Sequence, residues 1–501
     1  MPSMQISTWL ERGVVGCLFL IAVFAPHSIA VTQAAWLLGM ALWVARLAIY
    51  PRPSLFRSPV DYALLGFFIL SGISSIFSYS AVVSIGKMRA ASLFTIVYLV
   101  SQNVNSLRLV RLLAFTLIGS CMVNVLLTAG QFAIGKGVKV QGVMPDSPLS
   151  KAVFRTRTVT QPTPIRNGDT IWKVDGRDVS TPEELASALA SGPTIATVKI
   201  YRVEWMPELE LPRGQLLPGT NALQQLGITD WSPGRDWRAT GFYNHWVTYS
   251  EVLQLIASLA LGIFLALTRK KSLAGLLLLL AIVGLLFALG MTVTRASWIG
   301  FAVSALVMLT LTASKRTILI VAACAIPIVL AGAFWLQQKR SIGFFDRQDQ
   351  STSWRAMVWR EGFELLVSKP RHILFGVGLD SVKGYWRQWG LFDNGRQPIG
   401  HMHSNLLQIA LERGVPALIV WLILLGLYVR MLWRLSRNRA DDFARSLALG
   451  ALGGTIGFFT SGLVHYNWGD SEVVTVVYFI MGLCLVVERT NQRNTDSSVR
   501  I

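Results

Sequence analysis

Charged residues are scarce in this sequence. Asp, Glu, Lys and Arg make up only 15% of its 501 residues, whereas a soluble domain usually carries about 25%. Hydrophobic residues make up 52%, and the mean hydropathy over the whole length is +0.49. This composition argues against a soluble globular protein and indicates a chain that lies largely within a membrane.

Acidic residues and cysteines are few as well. There are 27 Asp and Glu against 46 Lys and Arg, a formal net charge of +19, but no nucleic-acid-binding motif accompanies the excess. We therefore interpret it as a signal of membrane topology and lipid contact, with no nucleic-acid partner. The cysteines lie in apolar runs and predict neither a disulfide framework nor a metal site; they are Cys17, Cys121, Cys324 and Cys484.

Apolar runs of about 20 residues, enough to cross a bilayer, recur along the chain. The first two are predicted to form a hairpin broken at Pro26-His27-Ser28, because one helix over 14–49 would be too long. The alternative for residues 1–30 is a cleaved signal peptide, which is disfavoured because no small-x-small site precedes the next apolar run. The twelve predicted spans are 14–30, 31–49, 60–78, 88–103, 109–134, 247–267, 272–290, 297–313, 317–336, 415–433, 444–464 and 472–487.

The basic residues between spans define an orientation. Most fall on one side, which the positive-inside rule makes cytoplasmic, and an even number of spans puts both termini there. Lys87 and Arg89 break the pattern at the outer end of the fourth span. Either the topology is locally wrong or these cations meet an anion there.

Two long segments interrupt the spans, and both follow an odd-numbered span, so both are predicted to face outward. The predicted division is 1–134 with five spans, 135–246 as the first outward segment, 247–336 with four spans, 337–414 as the second outward segment, 415–490 with three spans, and 491–501 as a cytoplasmic tail.

The first outward segment has the pattern of a small α+β domain. Residues 138–143 alternate like a strand, and residues 165–176 carry a hairpin signal ending in Asp175-Gly176. Thr181 is a predicted helix cap, followed by Pro182 and two acids near the positive end of the helix dipole. This order, with "VMPDSPLSKA", "PIRNGDTIWKVDGRDV" and "TPEELASAL", resembles a bacterial PDZ domain over about 138–203. The resemblance implies a peptide partner.

Two arginines stand out near the outer ends of spans. Arg238 lies just before span six, and Arg295 lies in "TVTRASWIG", the very short turn between spans seven and eight. An arginine kept at that depth usually has an anionic partner, because a charge toward the bilayer centre is costly. The alternative is that each side chain reaches the lipid phosphates.

The second outward segment holds further candidates. A predicted surface helix carries Arg355 and Arg360 between apolar residues at helical spacing. His401 and His403 follow in "GHMHSNLLQIALERGVPAL"; a neutral imidazole is a good general base near pH 7, although a plain surface histidine is the alternative. No third metal ligand and no Asp-x-Asp pair accompany them, so no metal or other cofactor is predicted.

Taken in order, these pieces resemble the O-antigen ligase and polymerase superfamily of bacterial envelopes, over about 235–487. His403-Ser404 is followed by nine residues and Gly414, as in the family signature, with Ala417 where Gly, Thr or Tyr is more usual. "TVTRASWIG" is similar to the family's Thr-x-Ser-Arg turn, "RATGFYNH" to its Arg-x-x-Gly-Phe-x-Asn segment, and "YNWGDSEV" to a segment before the last span.

The resemblance implies a mainly α, C-type glycosyltransferase-like bundle of about twelve helices in the bacterial inner membrane. The implied donor is a glycan on undecaprenyl pyrophosphate, and the acceptor is a hydroxyl of lipid A-core, of another glycan or of a protein. Arg295 and Arg238 would bind pyrophosphate, helped by Arg355 or Arg360, and His403 would take the acceptor proton in an inverting displacement. The possible supporting residues are His401, Asp470, Glu472, Lys87 and Arg89, although Asp470 and Glu472 could equally cap a helix.

Three related activities and two other classes stay open. Within the enzymes, ligation to lipid A-core, polymerisation of repeat units and protein O-glycosylation share this architecture. A lipid-linked glycan transporter would place charges within its spans, whereas the candidates here cluster at one surface. A PDZ scaffold without chemistry would give no special role to Arg295 or His403.

Overall fold

A computed structural model describes residues 2–49, 55–155, 160–202, 206–235, 237–243, 245–320, 323, 327, 334, 350–438 and 441–499. The chain is mainly helical and separates into two compact units. One unit comprises residues 1–125 and 240–501, and the other is Leu126–Ala239.

The larger unit is a helical bundle with short surface helices. Two 3-10 turns, Ser92–Phe94 and Asn467–Gly469, interrupt it. Its first helices are α1 (Pro2–Phe24), α2 (Ile29–Ala48), α3 (Asp61–Ile76), α4 (Ala81–Ala91), α5 (Thr95–Asn103) and α6 (Leu107–Ile134, whose end lies in the other unit). Its later helices are α9 (Trp246–Ala266), α10 (Leu273–Met291), α11 (Arg295–Thr312), α12 (Gln350–Val367), α13 (Pro370–Phe375), α14 (Ser381–Tyr385), α15 (Leu391–Gly395), α16 (Asn405–Arg413), α17 (Val415–Arg437), α18 (Asp442–Gly462) and α19 (Ser471–Val499).

Within the described part of the chain, nine helical stretches are long and apolar enough to cross a membrane. They match nine of the twelve predicted spans. The third predicted span is the shorter α3, the eleventh is the well-buried α18, and the ninth, 317–336, lies mostly outside the described residues. A multi-pass membrane protein is therefore supported, and the count of twelve stays a prediction. The nine are 5–24, 29–48, 81–103, 107–134, 246–266, 273–291, 295–312, 415–437 and 471–493.

The hairpin predicted at the start of the chain is confirmed as two helices. The break at residues 25–28 ends with Ser28, whose hydroxyl accepts a hydrogen bond from the Val31 amide at the start of α2. The first helix begins at Pro2 instead of residue 14, and the fourth span begins at Ala81 instead of 88. Polar residues can occupy the exposed first turns of a helix. The apolar run alone therefore predicts the first residue of such a helix too late in the sequence.

The bundle is closely packed around α9. Where α9 meets α18, a Cβ added to Gly262 would overlap Gly450 of the other helix. Small residues let two backbones approach in this way, which is how helices associate where lipid supplies no hydrophobic drive between them. Much of α9 is consequently shielded from surrounding lipid, and polar side chains on it can be satisfied by neighbouring helices.

The smaller unit is built on one antiparallel sheet. The strands are β1 (Val138–Gln141), β2 (Val153–Arg155), β3 (Thr160–Pro162), β4 (Thr170–Val174), β5 (Arg177–Asp178), β6 (Ile195–Tyr201), β7 (Glu208–Pro212) and β8 (Asp230–Pro233). The helices are α7 (Pro182–Ala190) and α8 (Ala222–Leu226). The strand order is β3-β2-β7-β6-β4-β1-β8, with β5 paired to β4, and a continuous apolar core includes Leu185, Val198 and Ile200.

The local predictions for this unit are confirmed. A strand begins at Val138, the hairpin turns at Asp175-Gly176, where both residues have positive φ, and α7 begins after Thr181, whose hydroxyl accepts from the Glu184 amide at 3.3 Å. The sheet also gains β7 and β8 beyond residue 203. The PDZ-like identity itself stays a prediction.

The junction between α16 and α17 depends on a glycine. Gly414 has φ 85°, and an added Cβ would overlap the carbonyl oxygen of Leu374. Positive φ is costly for other residues, by about 1–3 kcal/mol, before any overlap is counted. This glycine therefore lets the backbone turn into a membrane helix directly beside α13.

We expect Gly414→Ala to lower the thermal midpoint of the detergent-purified protein by several degrees, because the strain and the overlap add. Gly426→Ala is the matched control, since Gly426 lies in α17 with open space around its Cα and ordinary helical φ. Fluorescence-detected unfolding of both variants checks this expectation. Equal midpoints for the two variants would show that the junction tolerates a side chain.

Candidate functional site

The two histidines lie on a tight turn before α16. His403 has φ 46°, and its backbone amide donates to His401 Nδ1 at 3.2 Å. Their ring centroids are 4.0 Å apart, and Trp354 of α12 meets the His403 ring edge-on at 4.6 Å. The turn is held from both sides, because the Trp359 indole donates to the Met402 carbonyl at 2.8 Å and the Met402 amide donates to Gln408 Oε1 at 2.6 Å. The two imidazole rings, two residues apart along the chain, thus lie against each other on this turn.

The surroundings keep both imidazoles neutral. Burial, followed by the nearby cation Lys383, lowers the pKa of His401 to about 4. Burial, followed by His401 and then Arg355, lowers the pKa of His403 to about 2. A neutral ring can accept a proton, so at neutral pH both are in the form that a general base requires.

A cavity of about 440 Å³ lies beside this turn. His401 lines it, together with the residues at the starts of α9 and α19, the end of α16, and parts of α3, α4 and α14. Its polar lining residues are Lys87, His245, Thr248, Asp380, Lys383, His401, Gln408, Glu412, Arg413, Tyr466, Asp470, Ser471, Glu472 and Tyr478. The cavity is large enough for a sugar-sized group and has both signs of charge on its wall.

Lys87 meets an anion of the protein itself. Its Nζ lies 3.0 Å from Asp380 Oδ2, and Lys383 Nζ lies 2.9 Å from Asp380 Oδ1. Burial raises the pKa of Asp380, but the two lysines outweigh it, so this pKa lies below its usual range. The contact places α4 beside α14. It agrees with the second explanation given for Lys87, namely that this cation meets an anion at the outer end of the fourth span. Arg89 lies exposed on the same helix.

A second ion pair lies deeper in the wall. Arg413 Nη1 lies 3.3 Å from Glu412 Oε2 and 3.2 Å from the Tyr466 hydroxyl, which itself donates to Glu412 Oε2 at 3.2 Å. Glu412 Oε1 accepts from the Asp380 amide at 2.9 Å, and the Tyr466 ring lies 5.6 Å from that of His401. This group therefore connects the lysine pair to the histidine turn.

Asp470 and Glu472 form the opposite part of the wall. Asp470 precedes α19 and accepts from the Glu472 amide at 3.2 Å, and its other oxygen accepts from the Thr248 hydroxyl. The structure thus supports the helix-capping alternative for Asp470. Burial, then the Glu472 carboxyl, raises the pKa of Asp470 well above its usual range. Asp470 therefore holds its proton to a higher pH than an isolated aspartate does.

Of the predicted arginines, Arg355 is close enough to the histidine turn to lower the pKa of His403. Arg295 is the first residue of α11 and is partly buried, and it is not among the residues that line the cavity. Arg360 is 72% exposed, 4.0 Å from Glu364. Arg238 belongs to the unit Leu126–Ala239. Asn244 of the adjoining motif lies outside the described residues.

Several site residues were missed at the sequence level. Glu412 and Arg413 stand directly before Gly414, Tyr466 lies in "YNWGD", and Lys383 lies in the second outward segment. Glu412 and Arg413 could have been identified from the sequence. Two adjacent, oppositely charged residues immediately before an apolar span are rarely buried there without a partner. Glu251 was missed as well, although it is an acid within a predicted span.

Among the described residues, no group of three or more His, Cys, Asp and Glu side chains is arranged to hold a metal ion. The cavity wall carries cations, imidazoles, hydroxyls and carboxyl groups, and the pKa of one of these carboxyls, Asp470, is raised. Such a set suits an anionic group next to a polyhydroxylated one.

Fold and site together define a multi-pass membrane protein with a polar cavity beside a half-buried histidine pair. Residues 280–422 match the family model described as O-antigen ligase. That stretch contains Arg295, both histidines of the turn, the Glu412–Arg413 pair and Gly414. The match supports the predicted resemblance to this family, and with it a membrane glycosyltransferase of the O-antigen ligase or polymerase type. No curated protein was found to be similar to the chain.

Proposed function

We propose that this protein transfers a glycan from undecaprenyl pyrophosphate to an acceptor hydroxyl on the outer face of the bacterial inner membrane. The observation that carries the proposal is the family match over 280–422, because that stretch holds a neutral, half-buried histidine pair beside a cavity with charges of both signs on its wall. The pyrophosphate linkage already activates the sugar, so the reaction needs no nucleotide.

In the proposed reaction, the acceptor oxygen bonds to the anomeric carbon while the bond from that carbon to the pyrophosphate oxygen breaks. The leaving undecaprenyl pyrophosphate takes the electron pair, and His403 takes the acceptor proton. Direct displacement inverts the anomeric configuration. His401, which lines the cavity against His403, orients the acceptor.

The leaving group gains negative charge as the bond breaks, and cations placed at that position lower the barrier most. We assign this role first to Arg295, with Arg355 beside the histidine turn, because a guanidinium binds two phosphate oxygens at once. The roles predicted for Arg238, Arg360, Lys87 and Arg89 stay predictions. Asp470 and Glu472 would hydrogen-bond to sugar hydroxyls at the other side of the cavity.

A protein acceptor is the second candidate. A separate sheet-containing unit interrupts the helices, and if its PDZ-like part binds peptide tails, it would bring a protein to the membrane surface. A lipid-linked glycan transporter and a scaffold without chemistry are the other classes that an experiment has to separate.

The test is glycan transfer in liposomes that contain the purified full chain and lipid-linked glycans from the host. Lipid A-core, free repeat units and an extract of envelope proteins are offered separately as acceptors, with and without EDTA. We expect transfer to one acceptor class and no loss in EDTA. Glycan that crosses the bilayer without transfer would support the transporter, and neither event would support the scaffold.

A further inference from the structure

A fully buried carboxylate lies inside the helical bundle, apart from the cavity described above. Glu251 is five residues into α9, or about 7.5 Å along the helix, and its side chain is 0% exposed. A carboxyl group at such a position is costly unless neighbouring groups satisfy it. The lining of the cavity does not include it.

Four donors satisfy this carboxylate, two on each oxygen. Oε1 lies 3.0 Å from Ser297 Oγ and 3.0 Å from His465 Nδ1. Oε2 accepts from Ser461 Oγ at 2.7 Å and from Asn467 Nδ2 at 3.0 Å. The donors come from α11, from α18 and from the segment between α18 and α19. Glu251 therefore joins three separate parts of the chain to α9.

One of these donors continues to the histidine turn. Asn467 Oδ1 accepts from Asn405 Nδ2 at 2.6 Å, and Asn405 Oδ1 accepts from the Trp468 amide at 3.1 Å. Asn405 is the first residue of α16, two residues after His403. On the other side, Ser297 lies two residues after Arg295. The hydrogen bonds thus run from the arginine end of α11, through Glu251, to the turn that carries both histidines.

The segment held by Glu251 also supports the cavity. Tyr466 lies between two residues bound to Glu251, and its ring packs 5.6 Å from His401 while its hydroxyl contacts Arg413. A shift of this segment would therefore move the side chains against which His401 rests. Displacement of about 1 Å at a reacting centre can lower a rate by about 100-fold.

We propose that Glu251 is a positioning residue that fixes the histidine turn relative to the start of α11 through Asn467 and Asn405. The carboxylate is needed because an acceptor must face all four donors. An amide in its place would turn one NH2 group toward two of them. Its consequence for turnover rests on the proposed glycosyl transfer, whereas its effect on the geometry of the turn does not.

The test uses Glu251→Gln, which keeps the shape, and Asn467→Ala, which cuts the connection to Asn405 and leaves the carboxylate in place. Ser304→Ala is the matched control, because Ser304 is equally buried and bonds to Ser258 across the same two helices, α11 and α9, at 2.8 Å. Each full-length variant is labelled with 13C at histidine Cε1, which gives six signals from the six histidines.

We expect the signals of His401 and His403 to shift or split in both test variants and to stay in place in Ser304→Ala. Those of His27 and His372 should stay in place in all three. In the transfer assay, the test variants should lose about tenfold or more in kcat with little change in KM, because geometry rather than binding is altered.

A shift confined to the His465 signal, with His401 and His403 unchanged in Asn467→Ala, would overturn the proposal and leave Glu251 with a purely local role. If wild-type protein transfers no glycan but the histidine signals move, the proposed function fails and the positioning role stands. Should Glu251→Gln fail to fold, Asn467→Ala still decides, because it removes only one of the four donors.

Discussion

Replacing His403 with Ala is expected to lower the rate of glycan transfer by about 10²–10⁴-fold, the usual contribution of a positioned general base. The loss should fall on kcat, because the donor pyrophosphate is bound elsewhere. His401→Ala should cost less, since we assign it to orienting the acceptor. Steady-state transfer in liposomes, with both variants shown to be folded by their thermal midpoints, measures the difference.

The pH profile gives an independent measure of the same assignment. As the pH falls, protonation of the histidine pair removes the base, so the rate falls on the acid side. An ordinary histidine would place that fall near pH 6.5, but burial lowers the two pKa values to about 4 and about 2. We therefore expect kcat/KM of the free enzyme to hold constant between pH 7 and pH 5, with its decline lying at lower pH.

Two results would contradict the role of His403. A larger loss in His401→Ala than in His403→Ala would move the proton transfer to His401, the ring that lines the cavity. Full activity in both would remove the turn from the chemistry and return the histidines to the plain alternative of surface residues.

Replacing Arg295 with Ala is expected to lower transfer by about 10²–10³-fold, comparable to removing one group that stabilises developing negative charge. Arg295→Lys should recover only part of the rate, because an ammonium keeps the charge but loses the two-pronged contact with phosphate oxygens. Measuring the affinity for undecaprenyl pyrophosphate in parallel separates weakened binding of the donor from a slower chemical step.

Arg316→Ala is the control for this prediction. Arg316 is exposed and lies just after the other end of the same helix. Its replacement removes one positive charge without altering the start of α11. An equal decrease in both variants would indicate a general effect of positive charge or lipid contact. An undiminished rate in Arg295→Ala would leave only the lipid-phosphate role for that arginine.

Some residues of the candidate site were identified from the sequence, and others were missed. His403, Arg295 and the region around Asp470 were identified from motifs in chain order, and the family match covers the first two. Glu412, Arg413 and Tyr466 were missed because they meet only through folding: the distance along the chain from Arg413 to Tyr466 is 53 residues, yet their polar atoms lie 3.2 Å apart.

Composition and periodicity by themselves determined that this is a mainly helical membrane protein with a separate α+β segment. A helix that crosses lipid needs a long apolar run, and a half-buried strand shows alternating apolar and polar residues, so both can be recognised in the sequence. Only the tertiary structure decided which charges pair. Lys87 lies opposite Asp380, nearly 300 residues later, and Glu251 meets donors from α11, α18 and the segment before α19. Such pairings depend on how the helices pack. Hydropathy is a property of each segment of the sequence, so it does not predict which distant residue will lie beside a buried charge.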